Sequence, residues 1–491
     1  MKKAKESSLT FNLRRFSGFF RVMASTRMAA IGLIILSVSV VIALIAPLVF
    51  PFDPIKTQVS GEQDQPEWVM LFPDGYYLSK NMVVVNDPAF NNPSSVQQFS
   101  YSVDNAQVPY YSVSWSQIGQ TPPQGSLQVS SYSSSTVHVQ VSRAFHYPYN
   151  GPPKKFAIRP GFAVRASGVS LSQPVFVRFF IDRIGGENYT LWSANVTQNG
   201  SWQAPRNTLI SDQQDFKSSV GIISPLAASD VIFPSIGDYV YGFQAIFYGP
   251  GTVNVDNLGL TMLGTAFGIF GTDAVGADLF AQTFWGTRIS LLVGLIASFI
   301  GITLGLIVGL VAGYKSGLTD EALMRFTDMI LVIPVLPLLI VLIAVLGASI
   351  YNIILLLGFL SWMGFARVIR SQVLSLKERS FVEAAKASGS GTSRILVKHI
   401  FPNIVSLTYV NLALTVPAAI LSEAALSFLG LGDPTVPSWG HILANAEAAQ
   451  AVGSWWWILP PGLAIAILSL SFVLIGYSLD EIFNPRLRRR R

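Results

Sequence analysis

Apolar residues run almost unbroken through six stretches of this chain, and alternate with polar ones in a long region between the first two. A helix needs about 20 apolar residues to cross the hydrocarbon core of a bilayer. Met28 to Phe52 carries no charge before Asp53, and Ile289 to Tyr314 none between Arg288 and Lys315. Met329 to Ala366 is too long for one crossing and breaks naturally at Gly347-Ala348-Ser349, giving spans over about 329–346 and 351–366. Two more run from about Ile404 to Phe428 and from about Trp455 to Leu479. The pattern predicts an α-helical polytopic membrane protein with six transmembrane helices. The first stretch exceeds a signal-peptide core and lacks a small-x-small cleavage site, so it reads as a retained anchor.

The region from Pro51 to Leu263 has another period. SSTVHVQVS (134–142), PVFVRFFID (174–182) and YVYGFQAIFYG (239–249) alternate polar and apolar residues between Gly, Pro and Asn turns. Period-two alternation bounded by turn residues predicts half-buried strands. Many short strands in sequence predict an inserted all-β domain of β-sandwich or jelly-roll kind. Trp192 and Trp202 suit either its core or stacking against sugar rings. Asn188, Asn195 and Asn199 each open an N-x-[ST] triplet and are candidate glycosylation sites if the region faces outward.

Composition narrows the class. The chain is 51% hydrophobic and only 12% charged, with a mean hydropathy of +0.47; a soluble domain carries about 25% charged residues. There is no cysteine, and the four histidines (138, 146, 399 and 441) form no ligand-spaced cluster. No metal, cofactor or catalytic dyad is expected, and the chain is not read as an enzyme. Gly313-Tyr314-Lys315-Ser316 departs from the phosphate-binding G-x-x-x-x-G-K-[ST] and follows a membrane helix rather than a strand.

Charge gives the topology. The first 28 residues hold Lys2, Lys3, Lys5, Arg14, Arg15, Arg21 and Arg27 against Glu6, and the chain closes on Arg486 and Arg488 to Arg491, whereas Gly430 to Ser454 has no Lys or Arg. The positive-inside rule places both termini in the cytosol and 51–263 outside. The arginine tail reads as this topology signal and not as a nucleic-acid site. The polar, basic segment 381–403 (FVEAAKASGSGTSRILVKHIFPN) cannot sit in lipid and also projects into the cytosol. Within the second span Gly301, Gly305, Gly309 and Gly313 form a small-xxx-small stripe, fit for helix packing inside the chain or against a partner subunit. Ionisable or amide groups in the spans are few: Asn411, Asp328 and Glu423, the last a possible gate.

Several blocks resemble one family. Glu383-Ala384-Ala385 followed by Gly389 is similar to the EAA loop of ABC importer membrane subunits, in which a short helix, a glycine turn and a second short helix enter a groove on a cytosolic ATPase. GIFGTDAVGADLFAQTFWGTRISLLVG (268–294), SEAALSFLGLGDPTVPSWGHIL (422–443), WWWILPPGLAIAI (455–467) and LDEIFNPRLR (479–488) resemble, in order, blocks of oligopeptide/dipeptide-type permeases of the DppC/OppC kind. Ala277 stands where that family usually carries Arg, and His399 and Phe401 depart from its loop pattern. YVYGFQAIFYGPGTVNVDNLGLTML looks like the closing strands of carbohydrate-binding jelly-roll modules, with Asp256-Asn257 fit equally for a turn.

The resemblance implies a permease subunit of an ATP-driven importer of peptides or oligosaccharides. Its implied partners are a second permease subunit, two cytosolic ATPases, an extracellular substrate-binding protein and the bilayer. Glu383, Ala384, Ala385, Gly389 and Pro402 would form the coupling loop, with Pro402 where the second short helix gives way to span five. The expected organisation is a cytosolic tail 1–28, a helix 29–50, a β-rich extracellular insert 51–263, a pre-span segment 264–288, a permease core 289–479 with its loop at 369–402, and a basic tail 480–491. The competing reading is a membrane-anchored glycan-binding protein or adhesin.

Overall fold

The computed structural model describes residues 26–483 apart from 105–109, 122–123, 159–160, 206–208, 224 and 452; the basic tails lie outside the described residues. Two compact units emerge, one helical and drawn from both ends of the chain, the other β-rich and running from Gln58 to Asp278.

The helical unit begins with α1 (Arg27–Val49), whose first turn is capped by the Thr26 hydroxyl accepting from the Ala29 N–H. It continues with α2 (Leu279–Lys315), α3 (Gly317–Val332), α4 (Val335–Leu346) and α5 (Ile350–Leu376), then two short helices, α6 (Ser380–Ala387) and α7 (Thr392–Ile395). The long α8 (Phe401–Leu426), α9 (Trp439–Ala448) and α10 (Trp455–Phe483) complete it. Among the described residues five helical segments are long and apolar enough to cross a membrane, or six if the bent α3–α4 pair is one span.

Two spans differ from the sequence expectation. α2 starts ten residues early, at Leu279, and Ala281, Gln282, Thr283 and Gly286 in its first turns are buried on most sides. The expected straight span 329–346 is broken, with α3 and α4 meeting at 84°. Pro334 supplies no N–H and restricts Ile333 to extended backbone (ψ 127°), which stops α3. α4 alone has 12 residues, about 18 Å of helix, too short for a ~30 Å core. The break between the third and fourth spans falls at Gly347, in positive φ (90°), as expected.

Among the described residues the β-rich unit holds thirteen strands: β1 (Met82–Val83), β2 (Ser100–Asp104), β3 (Tyr111–Ser116), β4 (Ser126–Ser131), β5 (Val137–Tyr147), β6 (Lys155–Ala157), β7 (Ala163–Ser167), β8 (Val175–Arg183), β9 (Asn188–Val196), β10 (Trp202–Gln203), β11 (Gly237–Phe247), β12 (Gly251–Asp256) and β13 (Thr261–Leu263). They form two five-stranded sheets, β10-β7-β12-β4-β3 and β2-β5-β11-β8-β9, and a small β1-β13-β6 sheet, every pair antiparallel. Alternate residues of both large sheets (Leu127, Val129, Val253 and Val255 from one; Val139, Val141, Val177 and Phe243 from the other) enter a single hydrophobic core. Period two thus places the same parity of each strand inward. The unit reaches past the expected boundary at 263 because 264–278 folds back on 58–67. Gln65 bridges Ala266, and the Asp64 N–H donates to Thr272 Oγ1 at 2.9 Å.

Candidate functional site

The segment between α5 and α8 is built as a helix, a reversal and a second helix. In α6, Val382 and Ala385 are buried, while Glu383, Ala384 and Lys386 face outward. Spacing decides this, since 382 and 385 share one helical face and 383 and 386 the next. The buried pair packs with Ile369 and Val373 of α5, Ile302 of α2, and Ile395, Ile400 and Ile404 beyond the turn. Glu383 makes no ion pair among the described residues.

Gly389 ends α6 in the left-handed region (φ 75°). The Ser390 N–H donates to Ala385 O at 3.0 Å and the Gly389 N–H to Lys386 O at 2.9 Å. These two bonds define a Schellman cap, which needs a residue free of the Cβ penalty at that position. Beyond Gly391 the chain re-enters helix, but the second short helix does not give way to span five. α7 runs through a π-helical turn, Leu396–Ile400, straight into α8. Pro402 in the first turn of α8 cannot donate to the carbonyl four residues back, and the widened turn just before it accommodates that loss.

Polar contacts tie the same end of the bundle together. Arg370 forks onto Asp320 (Nε–Oδ1 2.5 Å, NH2–Oδ2 2.6 Å), and Arg367 pairs with Asp328. The Lys377 ammonium donates to Ser316 Oγ at 2.6 Å, and Lys386 of α6 lies 5.6 Å from the Tyr314 ring centroid. Sequence reasoning found Asp328 but missed Asp320, Arg367, Arg370 and Lys377. The signal was there in part, since 367 and 370 share one helix face, but their partners lie some 40 to 50 residues away.

The glycine stripe of α2 is spent on α5 of the same chain. A Cβ at Gly301, Gly305, Gly309 or Gly313 would lie 1.9 Å from Ser361 Oγ, 2.7 Å from Trp362 O, 2.6 Å from Ala366 O or 2.7 Å from Val373 Cβ. At the far end of the bundle Glu423 is buried and its Oε1 accepts from Ser427 Oγ at 2.7 Å. Ser427 lines a cavity of about 560 Å³ with His441, Asn445 and Glu447. Asn411 donates to Leu407 O one turn back in its own helix.

In the β-rich unit Trp192 is half-buried against Phe162 and Phe179, whereas Trp202 sits on the edge strand β10 beside Arg165. Asp256 and Asn257 close a turn: the Asp256 carboxylate accepts from the Gln120 and Asn257 N–H groups, and Asn257 takes positive φ (60°). Asn188 and Asn195 are exposed with no side-chain bond among the described residues. Asn199 is committed, its amide bonding both the Val169 N–H and carbonyl at 2.8 Å. Asp273 caps the turn at 275–277 by accepting from the Val275 and Ala277 N–H groups. Among the described residues no group of three or more His, Asp or Glu is placed to hold a metal.

The helical unit is thus a bundle of membrane-length apolar helices with a short helix pair packed at one end. The profile of "Binding-protein-dependent transport system inner membrane component" matches residues 301–489, and that of "N-terminal TM domain of oligopeptide transport permease C" matches 15–66. The chain is 38% identical to the oligopeptide transport system permease protein OppC of Bacillus subtilis, over 45% of this chain and 72% of that protein. With OppC of Haemophilus influenzae the identity is 39%, over 52% of this chain and 81% of that protein. The dipeptide transport system permease protein DppC of Bacillus subtilis is 39% identical over 45% and 69%. The chain therefore belongs to the oligopeptide/dipeptide-type permeases of ABC transporters, and is a multi-pass membrane protein.

Proposed function

We propose that this chain is one permease subunit of an ATP-driven peptide importer, coupled to separate ATPase chains through the α6–α7 helix pair. The observation that carries the reading is the asymmetry of α6. One face is locked by Val382 and Ala385 into a core shared with α2, α5 and α8, and the other offers Glu383 and Ala384 to solvent. A partner that grips the outer face moves the bundle with it, because packed interfaces shift between discrete arrangements and do not deform smoothly. Small alanine side chains keep the helix narrow, the Schellman turn holds the pair as one rigid element, and Lys386 on Tyr314 joins it to the end of α2. ATP hydrolysis belongs to the partner chains. This chain supplies the path and the lever, with a second permease subunit completing the path and a binding protein delivering substrate.

The lysine and arginine distribution puts the helix pair and both termini in the cytosol and the β-rich unit outside. We read that unit as a β-sandwich of jelly-roll kind, supported by its two five-stranded antiparallel sheets on one core. Peptides are assigned as substrate because the relatives above are named for oligopeptide and dipeptide transport. The test is ATP-dependent uptake of a radiolabelled tripeptide into proteoliposomes holding the complex, with cellotriose in parallel. Tripeptide accumulation alone is expected. Accumulation of the sugar alone would overturn the substrate, and uptake of neither peptide nor sugar would count against the importer.

A further inference from the structure

We propose that residues 67–77 form an interfacial foot by which the β-rich unit rests on the outer leaflet of the bilayer; this rests on the outward placement of that unit argued above. Trp68, Leu71, Phe72, Tyr76 and Tyr77 are 42, 84, 56, 59 and 69% exposed, five large apolar or aromatic side chains within ten positions. Single exposed hydrophobics are ordinary, but a contiguous group of this kind marks a surface that is covered in use.

The group is built compactly. Two 3-10 turns, Glu67–Leu71 and Pro73–Gly75, fold back on each other, and only glycine at 75 permits this, since a Cβ there would lie 2.2 Å from Val69 O. Trp68 and Phe72 meet edge to face at 6.3 Å, as do Tyr76 and Tyr77 at 5.1 Å. The Trp68 indole N–H donates to Ile269 O at 3.0 Å, so the ring is fixed although its surface is open.

The side-chain chemistry suits lipid headgroups. Trp and Tyr pair an apolar ring with a polar tip and collect where bilayer meets water. Charges stand among these rings, as the headgroup layer allows: Asp74, between Phe72 and Tyr76, is exposed, and Glu67 pairs with Lys80 at 2.7 Å. They hold the foot at interfacial depth and out of the hydrocarbon.

The chain has no cysteine, so each variant, labelled before assembly with its partners, carries one nitroxide. Leu71→Cys carries the test, with Leu171→Cys (88% exposed in the β-rich unit) as the aqueous reference and Leu295→Cys (on the exposed side of α2) as the lipid reference. In nanodiscs holding the full complex, collision with oxygen and with a water-soluble nickel chelate is measured at each. The label at 71 is expected to favour oxygen several-fold more than that at 171, and less than that at 295. A ratio at 71 equal to that at 171 would overturn the proposal, as would shielding from both reagents, which would mean a protein partner covers the patch. Failure at 71 with 295 still in lipid sinks the foot alone; failure at 295 sinks the spanning of α2 on which it depends.

Discussion

Asp64 gives the β-rich unit a pH dependence that can be worked out in advance. Asp64 is 1% exposed, and no donor meets either carboxylate oxygen in good hydrogen-bond geometry among the described residues. Ser60 is close enough to help, but its hydroxyl donates to Asn81 Oδ1 at 2.7 Å. Burial pushes the carboxyl up to about 6 from 3.8, with the nearby Ser60 hydroxyl, the Lys154 charge and the Gly61 backbone opposing and Glu62 assisting. The folded value lies above the unfolded one, so the stabilising contribution is complete below pH 3.8 and is lost as pH rises through 6. A difference of about 2.2 pK units corresponds to about 3 kcal/mol. For a unit of this size that is a melting shift of about 6–12 °C. Thermal melting of the wild-type chain should therefore show the β-rich transition rising as pH falls from 7.5 to 4. Asp64→Asn should flatten that rise by about the same amount, because the amide does not titrate. Parallel pH profiles for the two proteins would refute the reasoning.

Three further perturbations follow from named contacts. Gly309→Leu drives a side chain into Ala366 O and Ile369; overpacking of this kind costs about 1–3 kcal/mol or more, read as a lowered melting temperature of the helical unit in detergent, and an unchanged value would contradict the packing. Arg370→Ala strips Asp320 of its fork and should cost about 1.5–3 kcal/mol, with the Asp320→Arg/Arg370→Asp exchange recovering part of it in the same melt. Asn199→Ala removes both bonds to Val169 at about 1–2 kcal/mol, seen in the β-rich transition. Glycopeptide mass spectrometry should find sugar on Asn188 or Asn195 before Asn199, whose amide nitrogen is already donating.

What was legible in the sequence followed from period and from chain-breaking residues. The alternation of VHVQV and VFVRF predicted strands because each inward residue had to reach one core, and the glycine at 347 marked the break between the third and fourth spans because it adopts positive φ cheaply. Gly389 was readable for the same reason. The bend at Pro334 was missed although the proline was in view, because hydropathy counts apolar length and is blind to backbone direction. The merger of α7 with α8 was missed because Pro402 at a helix start and Pro402 after a π turn look alike in one dimension. The Asp320–Arg370 pair joins residues 50 positions apart, and only the packing of α3 on α5 makes them neighbours.

The coupling role of the α6–α7 pair is tested most directly by affinity purification of the complex in mild detergent from cells expressing either the wild-type chain or a Glu383→Ala/Gly389→Pro double variant. Proline cannot take the φ of 75° found at Gly389, so the variant loses both the carboxylate and the turn. The wild-type chain should bring down a second permease subunit and two ATPase chains, and the variant should keep the permease partner and lose the ATPases. ATPases absent from both, or retained in full by the variant, would contradict the account.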